Sequence, residues 1–394
     1  MPEERVNPFA VLPQELIYHI LDYLPLKNLV TTQTVNKDIN TLISDYLCQE
    51  LHIKNIICGA NFSFILLKNG RVLGMGDNQK GQLGLGKECK QTTFPVEVLG
   101  MGRIEQIHVG FAHTVMLGKN GAIWVMGDNS LQHLPLLSEN TFVPQQLLSK
   151  KKIKNIAVKD FTTSLFTDTN EFLNFGNEQL KPKIVNNTLV LLPDWVNLPT
   201  DKEIVAVSVA KEHALVLTKS GDVYGIGDNN SGSLGKGGAY VNFSEWTKLF
   251  EHVSKIQATS TGSILLTQNH ELMVAGLNKH GQLSPQDELI IPDFKQVSTG
   301  VKLFAAGDFH TLYLSESNKP YAMGSNEHGQ LGLGSPIAPP GHSLILPKKF
   351  PLAKKPEKHF FGSIGFFFKD NNAEADSAAE SKVSTPSSAR GLFD

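Results

Sequence analysis

The chain has 394 residues, 41% of them hydrophobic, enough to bury one large core with something smaller attached. Lys and Arg number 36 against 38 Asp and Glu, so no excess of positive charge exists to drive binding to a phosphate backbone, and nucleic acid is excluded as an expected partner. The opening Met1-Pro2-Glu3-Glu4-Arg5 lacks the apolar region of an export signal, no run of about 18 apolar residues is present to span a bilayer, and Cys48, Cys58 and Cys89 have neither CxxC spacing nor companion histidines, which together argue for a soluble cytoplasmic protein without zinc site or disulfide framework.

In chain order, the first predicted elements are helices. Leu16, Ile17, Ile20, Leu21 and Leu24 recur at helical spacing, as do Val35, Ile39, Leu42, Ile43, Tyr46 and Leu47, and the two amphipathic stretches flank Leu26 to Val30. About 40 residues cannot bury that much apolar surface by themselves, so the excess must face either the rest of the chain or a partner. Pro8-Phe9, Leu12-Pro13-Gln14-Glu15-Leu16, Ile20-Leu21-Asp22-Tyr23-Leu24, Leu29-Val30 and Val35-Asn36-Lys37 follow the pattern of an F-box, which residues 7 to 50 resemble. One departure is visible, Ile39 where that family commonly has Trp. The resemblance implies that a Leu-Pro pair opens the first helix and binds the Skp adaptor of a cullin-RING ubiquitin ligase. On this sequence the contact set would be Pro8, Leu12, Pro13, Leu16, Ile17, Ile20, Leu21, Leu29 and Val30.

Beyond residue 50 a repeat takes over. Its clearest copy is Val109-Gly110-Phe111-Ala112-His113-Thr114-Val115-Met116-Leu117, then Asn120-Gly121, then Ile123-Trp124-Val125-Met126-Gly127-Asp128-Asn129. The glycine that opens the Gly-x-Asn motif or its variant falls at 76, 127, 176, 227, 276 and 324, intervals of 51, 49, 51, 49 and 48 residues. Short apolar triplets such as Ile65-Leu66-Leu67 and Leu215-Val216-Leu217, closed by turns such as Asn69-Gly70 and Ser220-Gly221, predict hairpins. Several antiparallel strands per unit, repeated around an axis, predict a β-propeller, because ring closure removes exposed sheet edges.

Gly81-Gln82-Leu83-Gly84, Gly281-Gln282-Leu283 and Gly329-Gln330-Leu331-Gly332 follow the Gly-x-Asn motifs, with Ser233-Leu234-Gly235 as a remnant. At these residues the chain is similar to the regulator of chromosome condensation repeat, over roughly residues 55 to 345. That family usually has seven blades and six units are countable, so either a seventh has decayed or the ring is smaller. The fold expected is therefore mainly β, a propeller of about six or seven blades with a small α-helical F-box-like domain ahead of it. The ring is expected to close by strand exchange, Ser343-Leu344-Ile345-Leu346-Pro347 supplying an outer strand to the first blade.

Gly81 to Gly86 could be mistaken for a phosphate loop, but no Gly-Lys-Ser/Thr follows and no helix begins there, so tight turns between blades are expected. His113, His213 and His310 share one repeat position. Equivalent positions are spread around a ring, so these histidines are assigned to packing and hydrogen bonding rather than to metal or catalysis. From Asp370 the composition turns to Asn, Ala, Glu, Ser and Lys, as in disordered segments, while Phe360-Phe361 and Phe366-Phe367-Phe368 are too densely aromatic for a free linker and are expected to pack on the propeller. A polar tail of this kind resembles the translocation signals of effectors that intracellular bacteria inject into host cells, which would place the chain in the host cytosol.

The domain division expected is 1–50 helical, 51–350 propeller and 351–394 aromatic segment and tail. No catalytic residue, cofactor or metal is expected, and the chain is not expected to be an enzyme. The resemblances imply a substrate-recruiting adaptor, with a protein substrate on the propeller. The alternative, implied by the founding member of the repeat family, is an exchange factor or partner for a Ran-like small GTPase.

Overall fold

The structure is a computed structural model that describes residues 53–333, apart from 137–139, 149–150, 177–178, 238–241 and 286–287, together with 342–343. The helices expected within 1–50 and the aromatic segment and tail of 351–394 lie outside the described residues. Among the described residues all regular structure is strand.

Blade one is β1 (Ile53–Cys58), β2 (Phe62–Leu67), β3 (Val72–Asp77) and β4 (Gln91–Glu97), hydrogen-bonded in that order. Blade two repeats the meander with β5 (Ile104–Val109), β6 (His113–Gly118), β7 (Ile123–Asp128) and β8 (Asn140–Leu147). Blade three has only β9 (Ile153–Lys159), β10 (Thr162–Thr167) and β11 (Phe172–Gly176), and a separate hairpin follows, β12 (Leu180–Val185) and β13 (Thr188–Pro193). Blade four is β14 (Ile204–Val209), β15 (His213–Thr218), β16 (Val223–Asp228) and β17 (Asn242–Phe250). Blade five is β18 (Val253–Ala258), β19 (Gly262–Thr267), β20 (Leu272–Leu277) and β21 (Ile290–Ser298). Blade six is β22 (Val301–Ala306), β23 (His310–Ser315), β24 (Pro320–Gly324) and β25 (His342–Ser343).

The strand sequences show why this stack forms. The second strands β2, β6, β15 and β19 are buried at every position, because each lies inside its sheet with a neighbouring blade on both faces. They read as unbroken runs such as Phe-Ser-Phe-Ile-Leu-Leu rather than as an apolar-polar alternation. Inner strands read Ile-Lys-Asn-Ile in β1 and β9. A register shift follows the first residue of the inner strand in blade after blade, between Ile53 and Asn55, Ile104 and Gln106, Ile204 and Ala206, Val253 and Lys255, and Val301 and Leu303. A bulge of this kind raises the local twist that a propeller blade needs.

The ring therefore has six blades, and the third unit explains why a seventh was left open. Lys181-Pro182-Lys183-Ile184 stand where Gly81-Gln82-Leu83-Gly84 stand in the first unit. Without those glycines the segment extends into β12 and turns at Asn186 and Asn187, whose φ values of 45° and 60° are those of a tight hairpin turn. The hairpin wedges between blades three and four: Leu189 and Leu191 pack with Ala157 and Phe166, while Leu192 and Val190 pack with Val207, Val209 and Ala214. One decayed unit thus yields a three-stranded blade plus a two-stranded filler.

Ring closure differs from expectation. Blade one takes all its strands from consecutive sequence, since Phe94 to Glu97 lie in β4, which pairs with β3 through Leu73↔Glu97 and Gly74↔Val96. The C-terminal strand β25 pairs with β24 through Tyr321↔Ser343, which places it on blade six rather than on blade one. Leu344 to Pro347 lie outside the described residues. The repeat begins in phase with the inner strand, so no outer strand is missing from blade one and none has to be borrowed. Side-chain contacts close the ring instead: Cys58 Sγ donates to Ala305 O at 3.4 Å and Ser63 Oγ to Gln330 O at 3.0 Å.

Candidate functional site

The loops that join inner to second strands, and those that join third to outer strands, emerge on one face of the ring. In this loop face the Gly-x-Asn motif has a repeated structural duty. The Asn side chain accepts a hydrogen bond from the backbone N–H of the Leu five residues on: Asn78 from Leu83 at 2.9 Å, Asn129 from Leu134 at 2.6 Å, Asn229 from Leu234 at 2.8 Å, Asn278 from Leu283 at 2.9 Å and Asn326 from Leu331 at 2.9 Å. The bond folds the loop back so that the buried Leu plugs the space between blades. Gly81 has a φ of 88°, and a Cβ there would lie 2.7 Å from Phe142 Cα and closer still to the Thr141 carbonyl oxygen. At Gly81 the glycine loop is packed against the next blade, as the turn reading expected.

His113, His213 and His310 are buried, and each reaches the hydroxyl of the blade that follows it. His113 Nε2 lies 3.1 Å from Thr163 Oγ1, His213 Nε2 lies 3.1 Å from Ser263 Oγ, and His310 Nε2 lies 2.6 Å from Ser63 Oγ. The histidines belong to blades two, four and six and the hydroxyls to blades three, five and one, so the latches alternate around the ring. Burial holds the imidazoles neutral, with His213 down to about 4, His310 down to about 3 and His113 well below its usual range, the last helped by the neighbouring His133. Their assignment to hydrogen bonding is observed directly, and they lie at three separate blade junctions instead of converging. Among the described residues no group of three or more His, Cys, Asp or Glu is placed to hold a metal ion. Cys58 and Cys89 are free thiols, and burial raises Cys58 to about 12 and Cys89 in the same direction, away from nucleophilic chemistry.

What the loop face does offer is apolar area at blades two and three. Phe111 is 48% exposed and Leu131 58% exposed. The Phe111 ring lies 5.2 Å from that of Phe161, the Phe161 ring 5.8 Å from His133, and the His133 ring lies 4.3 Å from that of His113, tilted by 48°. The Phe111 N–H donates to Asp160 O at 2.8 Å, which fixes the two loops to each other. On the far side of the ring Phe309 meets His280 at 5.2 Å. Exposed Asp160, Lys211 and Glu212 supply a polar margin. An aromatic centre with a charged rim suits contact with a protein surface. Sequence reading treated Phe111 only as part of the repeat; the available signal was an aromatic at a loop position where the other units carry Ala60, Asp160, Lys211, Ser260 and Asp308.

The residues expected to meet the Skp adaptor, Pro8, Leu12, Pro13, Leu16, Ile17, Ile20, Leu21, Leu29 and Val30, all lie outside the described residues. Comparison with known families identifies that region. The F-box domain family matches residues 9–48, and the regulator of chromosome condensation (RCC1) repeat matches residues 69–117, with a second description of the same repeat matching 53–82, 204–233 and 301–330. Among whole proteins, the chain is 24% identical to the mouse E3 ubiquitin-protein ligase HERC2 over 302 residues, which cover 72% of this chain and 6% of that ligase. It is 26% identical to the human regulator of chromosome condensation, covering 67% of this chain and 70% of that protein. It is 27% identical to the Arabidopsis thaliana ultraviolet-B receptor UVR8, covering 71% and 67%. The chain thus spans a small fraction of the ligase and about two thirds of the other two. It carries an F-box domain followed by a six-bladed β-propeller of RCC1 repeats.

Proposed function

We propose that the chain is a substrate-recruiting adaptor of a cullin-RING ubiquitin ligase, in which the F-box holds the Skp adaptor and the loop face of the propeller holds the target protein. The observation that supports this most is the combination, in one chain, of an F-box over residues 9–48 with a propeller whose loop face exposes Phe111 and Leu131 over a rigid base. No nucleophile is required, since the ubiquitin-carrying partners supply the chemistry. The two ends divide the work: one is common to the ligase class and the other is individual to this chain. Delivery into a host cytosol would fit the same reading and rests on the composition of the tail alone.

The test is a paired capture with the full chain. Alanine at Leu12 and Pro13 is expected to remove the Skp adaptor and leave target capture intact, and Phe111→Ala with Leu131→Asp is expected to do the reverse. A chain that retains no Skp adaptor but accelerates nucleotide release from a Ran-like small GTPase would replace this reading with exchange activity, which similarity to the human regulator of chromosome condensation keeps as the second reading.

A further inference from the structure

Five blades cover their third strand with a fourth, and among the described residues blade three does not, its order being β11-β10-β9. The consequence is seen at Phe172. The same repeat position holds Val72, Ile123, Val223 and Leu272, which are 2%, 2%, 0% and 0% exposed, whereas Phe172 is 40% exposed. It is a core side chain whose cover is missing. Its ring rests on Phe166 at 4.9 Å, so it forms a preset apolar shelf instead of a loose side chain.

The chemistry of the edge separates a tolerated defect from a usable one. Soluble proteins blunt open sheet edges with lysine, proline or a bulge. The strand β12, from the same unit, contains Lys181, Pro182 and Lys183. By contrast β11 reads Phe-Leu-Asn-Phe-Gly, with no charge and no proline, and exposes Phe172 and Asn174. Lysines flank it: Lys154 reaches Asp168 O at 3.1 Å and Lys151 pairs with Glu171 at 2.6 Å at its lower end, while Leu180 and Ile184 of β12 pack with Phe166 and so carry Lys181 and Lys183 alongside.

We propose that the Phe172–Asn174 edge of blade three docks an extended peptide of a partner protein, one that alternates carboxylates with apolar residues and adds as the missing fourth strand. Backbone hydrogen bonds would supply the strand pairing, Phe172 the pocket for an apolar side chain, and the lysines the preference for acidic residues. This surface lies on the outer rim of the ring, apart from the loop face, and does not depend on which reading of that face holds.

The probe is a synthetic hexapeptide, Glu-Val-Glu-Phe-Glu-Val, with the full chain. Binding is followed by fluorescence anisotropy and by deuterium exchange of the fragment that holds β11. The peptide is expected to slow exchange at 172–174, and a version with proline at its centre, unable to complete a ladder, is expected to bind at least about tenfold more weakly. Phe172→Glu with Asn174→Glu is expected to weaken the original peptide to a similar degree while the chain melts as before. Because the proline control uses the unaltered chain, the test survives a variant that misfolds. Equal binding by the proline peptide, equal binding by a peptide with Lys in place of Glu, or protection outside blade three would overturn the proposal. So would protection at 172–174 that rises with chain concentration in the absence of peptide, since the edge would then belong to a second copy.

Discussion

His310 Nε2 lies 2.6 Å from Ser63 Oγ, a buried contact between residues 247 positions apart that joins the last blade to the first. The same His-to-hydroxyl latch serves two other junctions, but only here does it bridge the two ends of the propeller. Ser63→Ala leaves the imidazole without its partner, at a cost of about 1 to 3 kcal/mol for an unsatisfied buried polar group. Ser263→Ala removes the equivalent partner of His213 and is expected to cost a similar amount. Thermal melting of both variants checks the sizes. Deuterium exchange is expected to rise at β1 and β22 for the first and at β14 and β18 for the second.

Acid is expected to loosen all three latches together. In the unfolded chain a histidine titrates near 6.5, whereas burial holds His213 at about 4 and His310 at about 3, with His113 displaced in the same direction. Between these limits the unfolded chain binds more protons than the folded one, so stability is present above about pH 6.5 and falls as the pH drops toward 3. Each histidine contributes a slope of up to about 1.4 kcal/mol per pH unit inside that window. Denaturant midpoints measured from pH 7 to 4 are expected to fall, and a His310→Asn variant to show a shallower fall from a lower starting point. A flat profile would mean that the imidazoles are protonated in place.

Two loop glycines with similar backbone angles separate strain from collision. Gly81 and Gly86 have φ values of 88° and 91°, but a Cβ at Gly81 would meet the backbone of Thr141 and Phe142, whereas nothing lies within 4 Å of one at Gly86. Gly86→Ala is expected to cost about 1 kcal/mol from the left-handed backbone alone. Gly81→Ala is expected to cost at least about 3 kcal/mol, because the next blade must also shift. Equal melting temperatures for the two would show that the blade junction yields easily.

Shortening the chain to end at Gly334 removes β25 and is expected to expose the edge of blade six alone. Exchange should rise at Tyr321 and Ala322, whose partners are Ser343 and His342, and stay low at Ile56 and Ile57 in β1. Faster exchange in blade one would restore closure by strand exchange.

In the F-box, alanine at Leu12 and Pro13 is expected to remove about 2 to 4 kcal/mol of interface burial and weaken Skp adaptor binding by an order of magnitude or more. The motif precedes the first strand at Ile53, so the melting of the propeller should remain near wild type. Intact capture with a destabilised propeller would make residues 1–50 a cap on the ring.

The spacing of Gly76, Gly127, Gly176, Gly227, Gly276 and Gly324 was enough to point to a propeller with six countable units, because a period near 50 residues with paired turns can bury its apolar faces only by stacking like units, but it left six and seven blades both open. The structural duty of His113, His213 and His310 was legible for the same reason, as was the packing of the glycine loop. An F-box could be recognised from the Leu12-Pro13 opening and the helical rhythm behind it, since local pattern carries that signal. Contacts between blades could not be read. The hydroxyl that each histidine reaches belongs to the following blade, and a repeat read one unit at a time contains no record of its neighbour. Loss of glycine at Lys181 and Ile184 was visible as decay, but only the space between blades three and four decided that the segment became a wedge and left Phe172 uncovered. Phe111 and Phe172 are ordinary aromatics in the sequence; their exposure depends on which strands and loops arrive above them, and that is set by tertiary packing of segments distant along the chain.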